Sequence, residues 1–152
     1  MTSARGETAS EADLPMARKT PAARGRFADD IVALLHKGKI LGIRAGTEPH
    51  RFIGVWMVVV DGRLFIRSWS LKPRSWYRTF LVDPRGAITV EAREFAVRAV
   101  QTRSERIKDA VSKAYAAKYN TPASKKYVRD LSGARSRGTT TELVPVKATK
   151  KA

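Results

Sequence analysis

Two apolar runs separated by Asp61-Gly62 constrain this chain more than any other feature. A two-residue hairpin turn of type I′ needs positive φ at both central positions, and Asp-Gly reaches that geometry at little steric cost. Residues 52–60 before the turn are apolar on both parities, the pattern of a strand buried on two faces. Counting outward from the turn sets a register. Val59 falls opposite Leu64, Met57 opposite Ile66 and Val55 opposite Ser68 on one side. On the other side Val58 meets Phe65 and Trp56 meets Arg67. A slip of one residue would exchange the two faces. The first is expected to be core, and the second amphipathic, with a guanidinium beside an indole.

The flanking segments can be read around this hairpin. Residues 27–37 place Phe27, Ile31, Leu34 and Leu35 on one helical stripe, with Asp29 and Asp30 in the first turn and His36 and Lys37 in the last. That charge order suits the helix dipole, which gives His36 a structural role at the C-terminal end, and Gly38 can close the helix. Residues 40–44 form a short strand, and 75–80 a helical turn with Trp76 and Phe80 on one side. Residues 83–86, Asp-Pro-Arg-Gly, read as a turn. Residues 88–91 and 94–100 then make a second hairpin, which leaves Glu91 and Glu94 as solvated flanks rather than a catalytic pair. Ser104 caps a helix running to about Tyr119, with Asp109 and Lys113 paired at i,i+4. Asn120 and Pro122 end it. A weaker helix covers 124–131, a solvated Gly/Arg/Ser loop 132–138, and a last strand 139–146. Together these predict an α+β domain: a mostly antiparallel, six-stranded split β-barrel with flanking helices.

Charge separates the barrel from its tails. Of 152 residues, 30 are Lys or Arg and 14 Asp or Glu, a net +16. Residues 1–26 lack an apolar period and read as a disordered tail; 147–152 read as a basic C-terminal tail; 27–146 form the domain and hold +11 of the total. The N-terminal stretch has neither the apolar core of a signal peptide nor the acid-poor composition of a transit peptide. No run approaches the roughly 18 apolar residues of a membrane span. The expectation is a cytoplasmic protein with no membrane partner. Cysteine is absent and only His36 and His50 are present, which argues against thiolate chemistry, a metal centre or a histidine triad. No Walker loop or GxGxxG fingerprint occurs.

The strongest candidate site is the run from Arg67 to Arg78. It carries Arg67, Lys72, Arg74 and Arg78, three serines including Ser68, and both Trp69 and Trp76, and it leaves a strand to enter a helix N-terminus. Converging cations, hydroxyls and helix amides suit a phosphate, while Trp56, Trp69 and Trp76 suit a planar ring. Arg135 to Gly138 is a second, weaker set of candidate phosphate contacts.

The same residues carry a family resemblance. Residues 55–68, then Trp76-Tyr77-Arg78, Ala114 to Tyr119 and residues 139–145, resemble the bacterial family called domain of unknown function 2255. More distantly, the order of strand, serine, loop, Trp-Tyr, strand pair, helix and final strand is similar to deazaflavin-dependent nitroreductases, which belong with the FMN-binding split barrels. That likeness implies a dimeric split barrel binding FMN or a deazaflavin, with oxidoreductase activity. It maps the phosphate contacts onto Arg67, Ser68, Lys72 and Arg74. The competing expectation is a non-catalytic basic module that binds nucleic acid or another anionic polymer through the same surface.

Overall fold

The computed structural model describes residues 25–48 and 50–146; the two tails read from the sequence lie almost wholly outside them. Arg26, at the described edge, donates to the Asp61 carbonyl at 2.7 Å. The turn forms as the dipeptide predicts, with φ of 54° at Asp61 and 74° at Gly62. It joins β3 (Met57–Val60) to β4 (Arg63–Ile66), and Met57↔Ile66, Val58↔Phe65 and Val59↔Leu64 are the observed pairs.

Beyond Met57 the predicted strand does something else. Residues 52–60 are not one strand: β2 (Ile53–Val55) pairs with β1 (Leu41–Ala45), and Trp56 belongs to neither ladder. The pairings Trp56 with Arg67 and Val55 with Ser68 therefore do not form. β4 ends at Ile66 because Arg67 and Ser68 turn to bond other elements, leaving β2 no partner there.

The bend closes the sheet. Its seven strands run in the order β2-β1-β5-β6-β7-β4-β3, all antiparallel, with β5 at Arg85–Val90, β6 at Arg93–Gln101 and β7 at Thr141–Pro145. The two ends of that order, β2 and β3, are joined in the chain through Trp56 alone. The molecule is thus a nearly closed antiparallel barrel. Its seven strands become the expected six if β2 and β3 are counted as halves of one bent strand.

Helices cover this barrel in two places. α1 (Asp29–Lys37) sends Ile31 and Leu35 into the main core, and Phe27 just before it joins them, with Leu41, Ile43, Met57, Leu64, Ile66, Ile88 and Leu143. α2 (Trp76–Val82) adds Trp76 and Phe80 to the same core. Gly86 lets Phe80 approach, since a β-carbon there would stand 2.8 Å from the Phe80 ring and 2.7 Å from the Arg44 carbonyl. α3 (Glu105–Lys118) and α4 (Pro122–Ser132) build a second core on the opposite face, where Ile107, Val111, Tyr115, Val128 and Leu131 cover Val58 and Phe65. The hairpin face expected to be amphipathic is therefore apolar and buried at these positions.

Four local expectations change. Residues 85 and 86 begin β5 rather than completing a turn, because Arg85 already pairs with Arg98 and Gly86 with both Val97 and Ala45. The second hairpin turns at Glu91-Ala92, with φ of 52° and 64°. Asp109 pairs with Arg137 at 2.7 Å instead of with Lys113. Residues 132–138 are not a solvated loop: Ala134–Arg137 form α5, Ser136 is buried, and Arg137 also bonds Glu105 at 2.7 Å.

Candidate functional site

The bend at Trp56, the segment leaving β4 and Leu131 of α4 enclose a cleft of about 420 Å³. Small-molecule sites commonly fall between about 300 and 1,000 Å³. Trp56, Arg67, Ser68, Trp69, Lys72, Arg74 and Trp76 all line it, so the structure brings seven of the sequence-selected residues together. Arg78 does not. Its Nε donates to the Leu71 carbonyl at 3.0 Å, and its side chain lies with Pro73, Leu81 and Val82 in a separate depression.

The tryptophans have distinct positions. Trp56 lies flat on Tyr119, with ring centroids 4.2 Å apart and planes 2° from parallel. Trp69 stands 6.1 Å from Trp56 and is 44% exposed, and Tyr127 of α4 meets both indoles edge-on at 6.0 and 5.6 Å. Trp76 is buried edge-to-face against Phe80 and forms a fixed wall. Sequence reasoning placed Tyr119 only at the end of a helix and missed Tyr127 and Leu131. Nothing local marks these residues, because only the packing of α3 and α4 over β3 brings them to Trp56.

The expected phosphate grip divides in two. Arg67 is 3% exposed, and its guanidinium donates to Thr140 Oγ1 (2.8 Å), Ser112 Oγ (2.8 Å), the Leu131 carbonyl (2.9 Å) and the Lys108 carbonyl (2.8 Å). All four acceptors are neutral, and burial pulls this guanidinium down to about 10. Four of its five N–H donors are thereby used in tying β4 to α3, α4 and β7. Ser68 is similarly engaged: its hydroxyl donates to the Ser70 carbonyl at 2.7 Å and accepts from the Ser70 amide at 3.1 Å. Its backbone is held by Thr139 and Ser136.

The other donors face outward. Lys72 and Arg74 are exposed, and among the described residues no carboxylate contacts either. Ser70 Oγ accepts from the Lys72 amide at 3.2 Å, and Ser75 Oγ caps α2 by accepting from the Arg78 amide at 3.3 Å. Both hydroxyl protons stay available to a ligand. The helix terminus itself is already capped, so the phosphate-directed amides expected there are in part satisfied within the chain. Arg135 and Arg137 lie outside this cleft; Ser136 donates to the Ser68 carbonyl at 2.8 Å and so supports its loop.

The family model described as "Uncharacterized protein conserved in bacteria (DUF2255)" matches residues 38–143. No curated protein sequence matches the chain. The crystal structure of a conserved hypothetical protein from Mycobacterium tuberculosis superposes with a TM-score of 0.54 at 16% identity, covering 86% of each chain. That likeness is one of fold. An FAD-binding protein from Mesorhizobium loti gives a TM-score of 0.47 at 9% identity, covering 79% of this chain and 88% of the other.

Proposed function

The chain belongs to the DUF2255 family, and we propose that its tryptophan-walled cleft binds a phosphate-bearing flavin or deazaflavin, FMN in the simplest case. One observation carries the reading: among the described residues, three tryptophans and two cations without a carboxylate partner line a single cleft that no carboxylate enters. A planar ring gains by stacking on an indole, and a phosphate gains from several charge-assisted donors at once. The residues fit both halves of such a ligand. Trp56 is held flat by Tyr119 and offers a platform whose orientation is fixed before binding. Lys72, Arg74 and the hydroxyls of Ser70 and Ser75 supply the phosphate donors. Arg67 and Ser68 position these groups by holding the end of β4 and the first turn of the loop.

A bound flavin or deazaflavin would supply hydride-transfer chemistry, making the protein an oxidoreductase of the nitroreductase-like kind. The chain's own contribution is to stack the ring, neutralise the phosphate and exclude water with Val55, Leu131 and Trp76. The test is a fluorescence titration of nucleic-acid-free protein with FMN and with a deazaflavin cofactor at near-physiological salt. Saturable binding at micromolar or lower Kd is expected. The double variant Lys72→Ala/Arg74→Ala should weaken it at least about tenfold, the loss of roughly 1.4 kcal/mol or more. Absence of saturable binding, together with a steep salt dependence of nucleic-acid binding, would reverse the reading in favour of an anionic-polymer module.

A further inference from the structure

A second cleft of about 390 Å³ lies where the C-terminal ends of α1 and α3 meet β3. Its rim carries His36, Lys39, Lys118 and Asn120, its floor is built from Val58, Val59 and two alanines of α3, and among the described residues no acid lines it. The lysines clasp the helix ends reciprocally. Lys118 Nζ donates to the carbonyls of Leu35 and Met57, each at 3.0 Å, while Lys39 Nζ donates to the Lys118 carbonyl at 3.1 Å. Both cations also stand over the Tyr119 ring, at 5.5 and 5.6 Å.

The clasp leaves donors over. An ammonium has three N–H groups, so Lys118 keeps one and Lys39 two for which the described residues supply no acceptor. Lys118 is half-buried and faces a like charge, and burial with Lys39 nearby pulls it down to about 8. Two cations at a partly desolvated cleft, met among the described residues by backbone carbonyls but by no carboxylate, favour an anion that would balance their full charge. The valine and alanine floor adds a preference for an apolar body.

We propose that this cleft binds a small organic anion, an apolar body bearing a phosphate or carboxylate head, with the head between Lys39 and Lys118. The site is separate from the tryptophan-walled cleft and does not depend on its ligand. Phenyl phosphate and inorganic phosphate serve as probes in isothermal titration of the full chain at about 0.15 M salt. In the Lys72→Ala/Arg74→Ala background, which removes the phosphate-binding cations of the tryptophan-walled cleft, one saturable site is expected, with phenyl phosphate binding at least several-fold tighter than inorganic phosphate. Lys39→Met, which removes only one exposed bond, should weaken it about tenfold, and Lys118→Met more. Lys113→Met, an exposed lysine of α3 outside the cleft, should change nothing. A second readout is the Lys118 titration itself, followed by NMR, which phenyl phosphate should move upward from about 8. Binding that Lys39→Met and Lys113→Met weaken equally, or a Lys118 titration that phenyl phosphate leaves in place, would overturn the proposal.

Discussion

Arg67 shows how a residue selected for a ligand can be occupied by the fold. Its type and position suggest phosphate, yet four protein acceptors already take its donors. Arg67→Met would leave those buried acceptors unpaired, at about 1–3 kcal/mol for each that water cannot reach. A loss of about 3 kcal/mol in urea denaturation is expected, and a loss below about 1 kcal/mol would mean that water replaces the guanidinium. Lys118 gives a second prediction at this scale. Its folded value, about 8, lies below its ordinary 10.5, so between those values the unfolded chain holds more protons and stability rises with pH. Tyr119 acts in the opposite sense: burial pushes it up to about 12, and above pH 10 the unfolded chain loses its proton first, so stability falls. The urea midpoint should therefore rise from pH 7.5 to 9.5. Lys118→Met should flatten that rise, and an unchanged slope would remove Lys118 as its source.

At the scale of elements, the hairpins show what was legible in the sequence and what was not. Asp61-Gly62 announces its turn chemically, and the register counted from it holds through Met57↔Ile66. Glu91-Ala92 adopts the same left-handed pair of angles without a glycine or asparagine, so only the alternation of its flanking strands hinted at it. A side chain in that region costs about 1–2 kcal/mol. Ala92→Gly should accordingly stabilise the domain by about 0.5–1 kcal/mol after the added freedom of the unfolded chain is discounted. Equilibrium denaturation would measure it, and a destabilised variant would contradict the assigned turn. The helix capped by Ser104 was equally readable, as the observed bond from the Ile107 amide attests. What periodicity could not show was the division at Trp56, since an apolar run reads the same whether one neighbour or two successive ones bury it. For the same reason the cleft's tryptophans could be named from sequence while Tyr127 and Leu131, brought in by helix packing, could not.

At the scale of the whole molecule, the net charge of +16 is a standing repulsion that the few exposed ion pairs do not cancel. Raising salt from about 0.01 to 0.15 M shortens the screening length from about 30 to 8 Å. Tm should increase by a few degrees over that range, whereas a decrease would mean that local ion pairs outweigh the collective repulsion. Closure of the barrel belongs to this scale too. Every neighbouring pair in the strand order is laddered by backbone hydrogen bonds, while its two ends meet through one residue of chain. The barrel is a hoop fastened by a clasp, and the clasp is Trp56. A guest seated against that indole would touch β2 and the segment leaving β4, the strand laddered to β3, so filling the cleft and tightening the circumference become a single event. The amides around the joint would then exchange more slowly, while those of β5 and β6, on the far arc, keep their pace.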